Sequence, residues 1–208
     1  MNSRFRSRSA CALAVALGVV LSVPAAPAAQ AVPALAVTTG RVVLAGTSNI
    51  HDYTAETNEV RVVRAELAPT TTGSVGWTEI VKPDAIRAFE IAVPAASLHS
   101  SKDGLDKNMH KALKASEFPD ITFRLSRIET GASGEVVGID TLEVAGVARE
   151  VMLALTLEPG DESLLVKGRT ELLMPDFGIA PPKAMLGMLK TDPKVTITFE
   201  VVLAAAAG

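Results

Sequence analysis

The chain has 208 residues with 20 Lys and Arg against 23 Asp and Glu, a formal net charge of −3, and a single cysteine. This weakly acidic balance argues against nucleic-acid binding, and one cysteine excludes an intramolecular disulfide framework. No apolar run reaches the ~20 residues that a membrane-spanning helix needs, so an integral membrane protein of helical type is not expected.

Arg4, Arg6 and Arg8 open the chain without any acid, and Ala10 to Val23 follows as an uncharged run. Pro24 and Pro27 break that run, and Ala29-Gln30-Ala31 supplies the small-x-small pattern of signal cleavage. Residues 1–31 therefore read as a cleavable secretory signal peptide, and 32–208 as one exported domain, periplasmic or secreted. The arginines are not adjacent, which argues against a twin-arginine signal. Cys11 lies early in the apolar run and not at its end, against a lipid anchor. Cleavage leaves 17 basic and 23 acidic residues, a net charge of −6. It also leaves no thiol, hence no thiol catalysis and no cysteine-based metal site.

Val32 to about Thr39 reads as a polar-poor leader whose order the pattern does not fix. Period-two alternation, the mark of half-buried strands, then dominates. Weaker strand candidates are Arg41–Ala45, Tyr53–Leu67, Glu135–Val144 and Ser163–Met174. Clear ones run through Phe89, Ile91 and Val93; Ile121, Phe123 and Leu125; Val151, Leu153, Leu155 and Leu157; and Val195, Ile197, Phe199, Val201 and Leu203. That makes eight strands. Thr/Gly-rich Pro69–Gly76, Gly131–Gly134 and Pro159-Gly160-Asp161 supply turns, and short turns favour antiparallel pairing.

Two segments break the rhythm. Ser100 can cap a helix with Asp103 three residues on, and Leu105, Met109, Ala112 and Leu113 recur at helical spacing before Pro119. A short amphipathic helix over about Lys102–Ala115 follows. Pro175–Lys190, with Met185, Leu186, Met188 and Leu189, reads as a helical turn or an apolar lid-like loop. Ala204–Gly208 reads as a disordered tail.

Eight antiparallel strands form either a two-sheet sandwich or an up-and-down barrel. Sandwiches are nearer ~100 residues and lean on aromatic cores; here the domain carries five Phe, one Trp and one Tyr. Few rings and many Ala, Gly and Val leave barrel volume for a ligand. An outer-membrane barrel would need aromatic girdles and would turn Glu90, Arg124, Lys167, Arg169 and Glu171 into its lumen. A water-soluble all-β barrel with an apolar interior fits better.

Polar chemistry is thinly signalled. His51-Asp52 sits at a strand boundary, and Asp106 and His110 share a helix face four residues apart. With His99 they could make a metal-dependent enzyme, but no HExxH, phosphate loop or G-x-S-x-G accompanies them. Their ordinary reading is an exposed charge pair and loop histidines. No catalytic residue, cofactor or metal is expected, and a structural barrel without ligand is the third alternative. The apolar surface carries the stronger signal. Inward-facing Phe89, Ile91, Phe123, Leu125, Leu153, Leu155, Ile197 and Phe199, with Met109 and Leu113 on the helix, are the expected ligand contacts. His51, Asp52, Asp106 and His110 are the candidates for a head group.

The sequence resembles a known family. Phe118-Pro119-Asp120-Ile121-Thr122-Phe123 is similar to its P-x-I-T-F region, and Val93–Leu98 followed by Leu105–Met109 and Ala112–Lys114 to its strand–loop–helix segment. Asp140–Val147 resembles its G-x-L-x-x-x-G-V hairpin, Asp176-Phe177-Gly178-Ile179 its D-F-G-I element, and Gly46–Asp52 a G-x-S-x-x-H-D opening of one branch. These motifs, in this order, are those of YceI-like, lipid/polyisoprenoid-binding proteins. The resemblance implies a lipocalin-like, eight-stranded antiparallel barrel enclosing an isoprenoid chain, for transport, storage or sequestration. Where the commoner pattern has R-D-x-H, this chain has Leu105-Asp106-Lys107-Asn108, so the resemblance fixes no head-group preference here. Whether two chains pair as a homodimer is not decided by the sequence.

Overall fold

The computed structural model describes residues 35–68, 76–82, 85–130, 136–184 and 188–206. The leader expected over 1–31, the turn at 131–134 and most of the 69–76 loop lie outside them. Among the described residues ten strands form, β1 Leu35–Ser48, β2 Tyr53–Thr57, β3 Arg61–Leu67, β4 Ile86–Pro94, β5 Asp120–Thr130, β6 Val136–Val144, β7 Val147–Pro159, β8 Ser163–Leu173, β9 Lys183–Ala184 and β10 Leu189–Ala205. With them come two α-helices, α1 Trp77–Ile80 and α2 Asp103–Ala112, and two short 3-10 helices at Ala95–Ser97 and Met174–Phe177.

Nine strands make one curled antiparallel sheet in the order β2-β1-β10-β8-β7-β6-β5-β4-β3, with the short β9 paired to β10. This is the up-and-down barrel that alternation predicts, with three differences. The Tyr53–Leu67 candidate is two strands: Thr57 Oγ1 accepts the Glu59 N–H and shares a hydrogen bond with Ser97 Oγ, which turns the chain between β2 and β3. Leu35–Thr39 is not a loose leader, because it pairs with Val202–Ala205 of β10, and this pairing also orders Ala204 and Ala205. The helix starts where expected but ends at Ala112, short of Ala115, and its N-cap is Lys102, not Ser100.

Alternation sets which side chains turn inward, and one bulge corrects it. Leu125 pairs with Asp140 and Arg127 with Ile139, so Ser126 is the extra residue. Without it, strict period two would drive Arg127 into the interior; with it, Ile128 faces in and Arg127 stays outside against Glu129. On the outer face Arg124 reaches Glu90 at 3.1 Å across β4 and β5.

Both barrel ends are packed. At the end where β1 and β8 begin, Leu35, Val60, Trp77, Ile80, Leu164 and Leu203 form a buried cluster. Each such side chain contributes roughly 1.5–3 kcal/mol on burial. At the other end Ala95, Leu98, Leu113, Val144, Ala145 and Phe177 close under α2. The β6–β7 turn is Ala145-Gly146, both with positive φ (51° and 78°), the primed geometry that suits strand twist.

Candidate functional site

Between the two plugs lies a cavity of about 790 Å³. Val42 and Leu44 of β1 line it, with inward residues of β4 through β8 and β10, and α2 lies across its mouth. Its walls follow from register: Phe89 faces Leu125, Ile91 faces Phe123, and Phe199 faces Val42. Apolar walls of this extent suit a hydrophobic guest of the size that ligand pockets ordinarily hold.

All ten apolar residues singled out from the sequence line this cavity. Of the four polar candidates, only His51 does. Its loop is shaped by Ser48 Oγ, which accepts the His51 N–H at 3.1 Å and donates to the His51 carbonyl at 2.7 Å. Asp52 is exposed and off the cavity wall. Asp106 and His110 are occupied elsewhere. Asp106 accepts the Ser100 N–H at 2.7 Å and meets His99 Nδ1 at 3.1 Å, while His110 Nε2 meets the Leu98 carbonyl at 2.8 Å. Hydrogen bonding from Ser100, opposed by desolvation and assisted by His99, holds the Asp106 carboxyl below its usual range. These bonds fasten α2 to the 98–100 segment, which itself pairs with Glu56 of β2. Sequence spacing put Asp106 and His110 on one face correctly; it could not show that this face is turned to the neighbouring segment. Among the described residues no group of three or more His, Cys, Asp or Glu could hold a metal ion.

Several lining residues carried no sequence signal of function. Leu105 and Asn108, the two departures from the family pattern, both face the cavity, as do Tyr53 and the lysines 102, 111 and 114. Burial, and secondarily the charge of Asp192, raises the Tyr53 hydroxyl above its ordinary pKa. Asn49 closes the rim: its side chain donates to the Met188 carbonyl and accepts the Lys190 N–H, both at 2.8 Å. Met188, expected in a lid-like loop, is exposed there, whereas Met185 and Leu186 lie outside the described residues.

A buried acid lies on β6 beside the wall. Asp140 sits between Leu125 and Val151, both cavity residues, so its side chain shares their inward face. It is wholly shielded from solvent, and neither carboxylate oxygen has a hydrogen-bond partner among the described residues. Burial pushes its pKa up to about 7, with the Ser126 backbone, short of full hydrogen-bond geometry, acting against it.

Fold and cavity together define an antiparallel barrel built around one apolar chamber. A YceI-like domain model matches residues 34–203, and the chain belongs to the YceI-like family. Solved structures share the fold at low identity. Burkholderia cenocepacia BcnA is 13% identical with a TM-score of 0.60 over 78% of this chain and 95% of its own. A polyisoprenoid binding domain from Saccharophagus degradans, implicated in plant cell wall breakdown, is 12% identical with a TM-score of 0.60 over 84% and 99%. The Campylobacter jejuni YCEI protein is 15% identical with a TM-score of 0.53 over 78% and 85%. Among curated proteins none matches. Among the described residues no helix is long and apolar enough to cross a membrane.

Proposed function

We propose that this protein is an exported carrier, not an enzyme, that holds an isoprenoid-like chain inside its barrel for transport, storage or sequestration. The observation that carries this reading is the continuous apolar wall of the ≈ 790 Å³ cavity. The polyisoprenoid-binding neighbour from Saccharophagus degradans supports the choice of guest. Each buried CH₂ is worth roughly 0.8 kcal/mol. Four or five isoprene units thus yield a gross gain on the order of 10 kcal/mol or more before ordering costs. Affinity then comes from the tail, through contacts with Phe89, Ile91, Met109, Leu113, Phe123, Leu125, Leu153, Leu155, Ile197 and Phe199, and His51, on the cavity wall, is the polar contact open to a head group. The leader at 1–31 sends the domain to the periplasm or beyond, where such a chain crosses water only inside a host. Solvent extraction of the purified protein followed by mass spectrometry tests the reading. A prenyl lipid near one per chain is expected. Protein that is reproducibly lipid-free, and that takes up no added prenyl lipid, overturns it.

A further inference from the structure

Ser48 to Asp52 is a tight bend made of the polar residues such bends favour, with one misfit, Ile50. Ser48 Oγ accepts the Ile50 N–H at 3.3 Å and the His51 N–H at 3.1 Å, and the consecutive side chains part from there. His51 lies on the cavity wall, while Ile50 is off it and 56% exposed. Met188 is 66% exposed beside it. Asn49 fixes the two segments together. Its side chain donates to the Met188 carbonyl and accepts the Lys190 N–H, and its own N–H donates to the Lys190 carbonyl at 3.1 Å.

Neither apolar side chain serves the fold. Both lie outside the two buried clusters, and an apolar group left in water gains nothing from folding. Among the described residues the other large exposed hydrophobics, Val63, Met152 and Leu173, sit on separate strands, β3, β7 and β8.

Size and place decide what covers the pair. Two side chains fall far short of the ~800 Å² per partner that a stable protein interface buries. A bilayer needs no complementary surface, because apolar tips enter its acyl boundary wherever they touch. The pair also adjoins the chamber, since Ser48 and His51 on one side and Thr191 on the other line the cavity. Charge favours insertion over attraction. Among the described residues of the rim segments 48–53, 102–117, 174–180 and 188–193, the exposed charges are five lysines and five acids. Such a balance gives no net pull towards an anionic surface.

We propose that Ile50 and Met188 form a bilayer-docking tip that sets the cavity rim against the acyl boundary of a membrane, whatever the charge of its lipids. A prenyl chain then passes between bilayer and barrel without crossing water. The cargo rests on the carrier reading above; the tip adds where it is loaded.

Flotation with vesicles of phosphatidylcholine, and of phosphatidylcholine mixed with phosphatidylglycerol, tests the tip. The native protein should float with both to a similar extent, and added salt should not release it. The double variant Ile50→Ser, Met188→Ser should lower its vesicle partition coefficient at least about fivefold, and slow farnesol uptake from vesicles alongside. Farnesol offered in solution should bind this variant as it binds the native protein, which also reports an intact fold. Val63→Ser with Met152→Ser removes as many exposed apolar side chains elsewhere and should leave flotation unchanged. Three results overturn the proposal and leave the carrier reading standing: native protein that does not float, flotation that needs phosphatidylglycerol and is released by salt, or a rim variant that floats as the native protein does. A dimer in gel filtration that the rim variant dissolves also overturns it, by placing a second copy over the tip. Failure to take up farnesol from solution and from vesicles overturns the carrier reading instead, and flotation that still depends on Ile50 and Met188 then keeps the tip.

Discussion

Gly168 lies directly opposite Phe199 on neighbouring strands, and the phenyl ring fills the space a side chain at 168 would need. The same arrangement recurs where the Tyr53 ring crosses Gly46. In both pairs an absent Cβ lets a large ring lie flat against the wall and leaves the middle of the barrel open.

Gly168→Val should force the Phe199 ring off its site. Overpacking of this kind costs on the order of 1–3 kcal/mol, read as a lower midpoint in urea unfolding. Unchanged stability together with unchanged lipid uptake would show that the ring is free to move and that the close approach has no structural role.

Ile91→Trp adds bulk inside the cavity without adding charge. The variant should fold, read as an unchanged β-type circular dichroism spectrum, but should co-purify with a shorter chain or none. Mass spectrometry of extracted lipid checks this; an unaltered lipid profile would place the guest elsewhere.

Asp140 makes stability depend on pH, and the direction is set by its raised pKa. The folded protein keeps the proton up to about pH 7, whereas the unfolded chain releases it near pH 4. Stability contributed through this group is thus greatest in acid and falls as pH rises between those limits, by up to about 4 kcal/mol. Asp140→Asn cannot ionise, so thermal melts should show the variant gaining on the native protein at pH 8 and losing that advantage at pH 4. Parallel melting curves across the range would contradict a buried, unpaired carboxyl.

Asp106 works in the opposite sense. Its carboxylate is stabilised by Ser100 and His99, so its contribution is present above about pH 4 and is lost as pH falls through its depressed pKa. Asp106→Ala should loosen the attachment of α2, and amide hydrogen exchange in 103–112 should quicken while β-strand amides keep their protection. Equal exchange in α2 would mean that packing of Met109 and Leu113 alone holds the helix.

The barrel and its lining were legible because one rule governs both: alternate residues of a half-buried strand face alternate sides, so Phe123 and Leu125 point inward wherever the strand sits. The break between β2 and β3 was not, since it depends on Ser97, a partner of Thr57 forty residues away. Nor was Asp140, whose charge weakened the apolar pattern of β6 and whose inward direction follows only from pairing with Leu125 and Val151. The mouth lysines show the third kind of loss. Helical spacing groups Lys107, Lys111 and Lys114, but which of them meets the cavity depends on how Asp106 and His110 anchor the helix.

The pairing of β1 with β10 joins the first described residues to the last, Leu35 to Ala205. A wall closed by two strands so far apart in sequence cannot be completed before the later one has been made, and contacts of such sequence separation form late and slowly. Until Phe199 and its neighbours arrive, β1 has an unpaired flank and the inner faces of β4 to β8 have nothing across from them. The newborn chain is therefore adhesive until β10 has been made. A frameshift or stop codon within β10 should yield an aggregating product and not a smaller carrier.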